Sequence, residues 1–130
     1  MSIVKTIPER RSQPRVEGEI APAELEIIFK CALTASDHKR LHPWRFVLCH
    51  PEHKQALKDL ILAARSPESE EAHLASMERV ERRLDFAPHI VSCLLLINRG
   101  SGVPEIKQVL SAGASIQNVI IAAKSLGYSC

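Results

Sequence analysis

The sequence predicts an α+β fold with helices flanking a small sheet, and three observations point to it. Arg45–Cys49 and His89–Ile97 are short apolar runs that read as strands. Around them lie segments with apolar residues at i, i+3, i+4 and i+7, the spacing of amphipathic helices. The last such segment, Pro104–Leu126, is apolar over more than one face. At 130 residues the chain suits one domain, 1–130, burying about two-thirds of its unfolded surface.

Taken in order, Ile3, Val4 and Ile7 outline a short helical face, which Pro8 is expected to interrupt by favouring extended geometry at Ile7. Ala23 to about Thr34 places Leu25, Ile28, Phe29 and Ala32 on one helical face, with Pro22 suited to the first turn. Ala35-Ser36-Asp37-His38-Lys39-Arg40-Leu41-His42-Pro43 is a polar connection without helical periodicity. A second helix begins near Pro51 with Leu57, Leu60, Ile61 and Ala64 on one side. Ser66 is expected to cap a third, with Pro67 at its first position and Glu68, Glu70 and Glu71 near its positive end. Its apolar residues (Leu74, Met77, Val80, Leu84) are sparse, which predicts a surface helix. The strand from His89 is apolar on both faces apart from Ser92 and should be covered on both sides. Pro104–Leu126 would be roughly 34 Å long and, with so little polar face, should be buried centrally or against a partner. Gly127 is placed to end it, and Tyr128-Ser129-Cys130 reads as the start of another strand. Two strands make a marginal sheet, so the expectation is that further C-terminal strands are missing or supplied by a partner.

Composition narrows the function classes. Hydrophobic residues make up 45% and charged residues 25%, ordinary for a globular protein. A formal charge of +2 with interleaved signs, as in Glu78-Arg79-Val80-Glu81-Arg82-Arg83, argues against nucleic acid as a partner. No apolar run of about eighteen residues suggests a membrane span, and no leader-like segment opens the chain. Cys31, Cys49, Cys93 and Cys130 include no C-x-x-C pair and read as reduced cytoplasmic thiols. His38 and His42 stand four apart beside Asp37, but no further ligand is placed, so a metal site is not predicted.

Three segments carry a resemblance. Glu9-Arg10-Arg11-Ser12-Gln13-Pro14-Arg15 is similar to an R-R-S-x-R opening. Ala35 to Phe46 resembles A-P-D-H-K-x-x-Q-P-W-x-F. Ser111-Ala112-Gly113-Ala114-Ser115-Ile116-Gln117-Asn118 running on to Gly127-Tyr128 is similar to a long central helix and the strand after it. In this order they resemble the nitroreductase family, and the second segment its small, minimal branch. Ser36, Arg40 and His42 depart from the family's Pro, Asn and Gln; the Arg40 change is usual in the minimal branch and bears on subfamily.

The resemblance implies a nitroreductase-like fold with a mixed or antiparallel sheet, and a single domain over 1–130 that is incomplete at its C-terminus. It implies FMN as cofactor and NAD(P)H as reductant, with nitroaromatic- or quinone-like acceptors reduced in a second half-reaction. Arg10, Arg11 and Ser12 would meet the flavin tail, an anion suited to guanidinium forks and a short hydroxyl. On spacing alone the triplet reads first as a surface Arg pair capped by a serine, and the matching of the other segments reverses that order. Thr34 and His38 would also contact FMN, His38 from the second subunit of a homodimer built on the long helix. No general acid, base or nucleophile set is expected, because the cofactor carries the chemistry. The alternative expectation is a non-catalytic, truncated chain with impaired flavin binding.

Overall fold

In the computed structural model residues 3–64 and 69–130 are described. They form, in order, α1 (Ile3–Glu9), α2 (Pro22–Leu33), β1 (Trp44–Cys49), α3 (Lys54–Ala63), α4 (Glu70–Asp85), β2 (Ile90–Leu95) and α5 (Glu105–Ser125). The chain divides into two compact units, one of Met1–Gln13, Ile20–Val47 and Cys93–Cys130, the other of Pro14–Glu19 and Leu48–Ser92.

The first unit is organised by α5 against α2. Within the single chain α5 buries Gln108, Ser111, Ala112, Ser115 and Ala123. Ile106, Val109, Leu110 and Ile116 stay exposed. The reason lies at the C-terminal end of α2, whose last carbonyls lack the regular i+4 partner and accept only the tight bonds of the cap. Ser115 Oγ donates to Ala32 O at 2.7 Å and Asn118 Nδ2 to Cys31 O at 3.1 Å. Small side chains at 111, 112 and 115 let the two backbones approach closely enough for those bonds. Beyond α5, Gly127 takes φ +96, its N–H donates to Lys124 O, and the Tyr128 N–H donates to Ala123 O. That pair of bonds is the Schellman arrangement, so the glycine ends the helix as expected.

Two further expectations for this unit are corrected. Residues Ile3–Glu9 are helical through Pro8, because a proline in the last turn removes only one intrahelical bond. The face that α1 buries is Thr6, not Ile3, Val4 or Ile7, all of which are at least half exposed. Tyr128–Cys130 form no strand; the Cys130 carbonyl accepts one backbone bond, from Gln13 N–H at 2.9 Å. Trp44 and Val103 complete the apolar core with Ile28, Ala32, Ala112 and Ala123. Leu96 N–H donates to Pro43 O at 2.8 Å, which sets the end of β2 beside the start of β1 and makes the two-stranded sheet antiparallel. Leu94 and Leu95 remain 49% and 41% exposed, so β2 is not covered on both faces as its composition suggested.

The second unit pairs α3 with α4. The Ser66 cap and Pro67 lie outside the described residues; the described helix starts at Glu70, and Ser69 Oγ caps it by accepting from Ala72 N–H at 3.1 Å. Its last turn and the segment just after it are met from α3, where Lys54 Nζ donates to Leu84 O at 2.9 Å and Ala87 O at 2.7 Å. Lys58 adds an ion pair to Glu81 at 2.7 Å. Val80 and Leu84 form the buried stripe expected of a surface helix, while Leu60, assigned to the inner face of α3, is exposed.

Candidate functional site

Arg10, Arg11 and Ser12 follow directly on α1 and share the first unit with α5. One Arg10 guanidinium nitrogen donates to Ser12 Oγ at 3.2 Å. Arg11 folds back on the helix end, donating to Pro8 O at 2.7 Å and Arg10 O at 2.8 Å. Pro8 favours this, since the chain turns out of the helix there with carbonyls left to satisfy. A cluster of guanidinium and hydroxyl donors at the surface is suited to a phosphate group.

The polar connection after α2 holds a second feature. Thr34 caps α2 and its hydroxyl donates to Cys31 O at 2.8 Å. His38–Arg40 then form a single 3₁₀ turn, within a run in which Lys39, Arg40 and His42 all have positive φ, at 61°, 53° and 44°. Each such residue costs about 1–3 kcal/mol, and such strain persists only where neighbours over-determine it. Asp37 is one determinant, its carboxylate accepting from His42 N–H at 2.5 Å. Beyond the loop, His42 meets the buried Trp44 ring edge-on, 5.6 Å between centroids.

This loop forms one wall of an open cavity of about 510 Å³, lined by Ser36, Asp37 and His38 on one side and Lys107, Leu110 and Ser111 of α5 on the other. Of the predicted residues only His38 lines it; Arg10, Arg11, Ser12 and Thr34 do not. Lys107 was missed by sequence reasoning. The available signal was its isolation, because it is the only basic residue on α5 before Lys124.

Residues 15–130 match the description of the nitroreductase family. The chain belongs to the nitroreductase family. A relative from Haemophilus influenzae, described as a candidate NAD(P)H nitroreductase, is 30% identical across 98% of this chain and 70% of its own length. Among solved structures, a nitroreductase-like family protein from Bacillus cereus superposes with a TM-score of 0.81 at 22% identity, covering 98% of this chain and 66% of that one. A nitroreductase from Bacteroides fragilis with bound FMN gives 0.72 at 22% identity, over 98% of this chain and 66% of its own. The fold is therefore nitroreductase-like and α+β, with the antiparallel strand pair among helices. Among the described residues, no helix is long and apolar enough to cross a membrane.

Proposed function

We propose that this chain acts, as one nitroreductase-like domain, in an FMN-dependent oxidoreductase that uses NAD(P)H to reduce nitroaromatic- or quinone-like acceptors in the cytoplasm. The observation that carries the reading is the Arg10–Ser12 pairing at 3.2 Å in a chain of this family. When bound, FMN supplies the two-electron chemistry between reductant and acceptor. Arg10 and Ser12 hold its phosphate by charge and hydrogen bonding, and Arg11 adds positive charge from the same turn. Thr34 has its hydroxyl proton engaged by Cys31 O, so it serves the cofactor only as an acceptor. His38 orients the ring system from the partner copy.

A site shared by two copies is supported by the separation within one chain, where Arg10–Ser12 do not reach the cavity that His38 lines. It is supported again by α5, whose exposed Ile106, Val109, Leu110 and Ile116 fall on one stripe around Gly113. Apart from its own stretch of helix, none of the described residues comes within 4 Å of where a Gly113 Cβ would be, leaving room for a second helix to approach.

The test is a titration of the purified protein with FMN, followed by flavin fluorescence, alongside NADH and NADPH oxidation with a quinone acceptor. Saturable binding and FMN-dependent turnover are expected. Arg10→Ala should weaken binding by roughly tenfold to a hundredfold, the worth of one charge-assisted hydrogen bond. A protein that self-associates yet takes up no FMN would establish the non-catalytic reading instead.

A further inference from the structure

The strained loop 37–42 is tied at two points, and the second tie is long-range. Lys39 Nζ donates to the Ser101 carbonyl at 3.0 Å, across 62 positions of sequence. That carbonyl sits on a turn that is itself fixed. Asn98 Oδ1 accepts from Gly100 N–H at 3.1 Å, and Ser101 Oγ donates to Asn98 O at 2.8 Å and accepts from Val103 N–H at 3.1 Å. Beneath the turn lies Gln108, only 1% exposed. Its Oε1 accepts from Asn98 N–H at 2.9 Å, and its Nε2 donates to Asn98 O at 3.0 Å and Val103 O at 2.9 Å. Every polar atom of that amide is thus used to bind the turn to α5. Gly102 follows Ser101 with φ +71, and a Cβ there would lie 3.6 Å from Lys39 Nζ.

These bonds connect the two walls of the cavity. Asp37 closes the loop on itself through the His42 amide, which fixes its internal shape but not its place against α5. Lys39 supplies the missing constraint, because the turn it grips is bonded to Gln108, the neighbour of Lys107 on the opposite wall. A three-donor ammonium on a long stem can reach a carbonyl that no short side chain at position 39 would meet.

We infer that Lys39 is a positioning residue: through the Ser101 carbonyl and the buried Gln108 it holds the 37–42 loop so that His38 is presented to the cofactor. The inference rests on the FMN reading above. Lys39 acts through His38 and does not itself bind the flavin.

The experiment compares the full chain with Lys39→Met, Lys39→Arg, His38→Ala and the Lys39→Met/His38→Ala double variant. FMN affinity is read by flavin fluorescence, and amide hydrogen exchange over residues 37–42 is read without flavin. Lys39→Met should weaken FMN binding roughly tenfold and speed exchange at His42, with Lys39→Arg restoring much of both. The melting temperature should barely move, since Lys39 is exposed. The double variant should bind no more weakly than His38→Ala alone, the signature of two residues acting in one chain. Additive losses, or wild-type affinity in Lys39→Met, would overturn the inference. If the parent chain takes no FMN, the flavin reading fails; unchanged exchange in Lys39→Met then separately removes the strut.

Discussion

Ser115 is fully buried on α5 and has one task, donating to the Ala32 carbonyl. Replacing it with alanine removes that donor and leaves the Ala32 carbonyl with its long backbone bond from Ala35 N–H at 3.4 Å, which costs about 0.5–1.5 kcal/mol. Ser115→Ala should therefore lower the urea midpoint of the protein with little change in slope, the mark of lost stability without a change in the surface exposed on unfolding. An unchanged midpoint would mean that the α2–α5 junction is held by shape alone. Arg10 is a residue of the opposite kind. Its bond to Ser12 lies at the surface and adds little to stability, so Arg10→Ala is expected to change ligand affinity and leave folding intact. The four cysteines are all free thiols, and burial pushes the Cys93 thiol above its usual pKa.

Among the elements α5 combines two faces with different duties. Its small and polar side holds α2, while Ile106, Val109, Leu110 and Ile116 stand exposed around Gly113. A helix in water does not ordinarily display such a stripe without a partner. Because those side chains contribute little to the fold of a single copy, a charge placed among them separates assembly from stability. Ile106→Glu and Gly113→Leu should each weaken self-association at least tenfold by light scattering, with melting temperatures close to the parent's at high dilution. If both variants assemble like the parent, α5 is not the contact. Elsewhere, α4 shows how a weakly apolar helix is kept in place. Its start is capped by Ser69 and its end by Lys54 from α3, so termini do what a sparse apolar stripe does not.

For the molecule as a whole, stability against pH has one clear feature on each side. Tyr128 donates to the Glu24 carboxylate; that hydrogen bond, then desolvation and the carboxylate charge, raise the phenol above its usual pKa of 10.0. A group raised by folding contributes fully below its unfolded pKa and loses that contribution as pH rises through the folded value. The alkaline limb of the stability curve should thus begin near pH 10 and flatten in Tyr128→Phe, measured by thermal melts from pH 7 to 11. Glu26 is lowered by its hydrogen bond to Lys30 and by that residue's charge, so its share is lost only as acid reaches its folded pKa. Much of this was legible in advance. Helical periodicity marked α2 and α5 and short continuous apolar runs marked both strands, since both signals are local properties of a chain. Proline at 22 and glycine at 127 marked boundaries because each restricts or frees its own backbone. The family too was readable, through Arg10-Arg11-Ser12, the Asp37-His38-Lys39 loop and the Gly113 helix. Sequence could not show that α1 runs through Pro8, or that α5 buries serine, alanine and glutamine while exposing isoleucine and leucine. The first depends on where in the helix the proline falls, the second on which carbonyls of a distant segment accept donors. Nor could it show that Lys107 faces His38, or that Lys39 reaches Ser101, because pairs so far apart along the chain meet only after α5 and the 37–42 loop have packed. What the sequence determined by itself was the kind of the main elements, α2 to α5 and both strands, and the α+β, nitroreductase-like class. Only the tertiary structure decided which face each element buries, because burial is settled by the polar groups and shapes of the partner surface as much as by an element's own hydrophobicity.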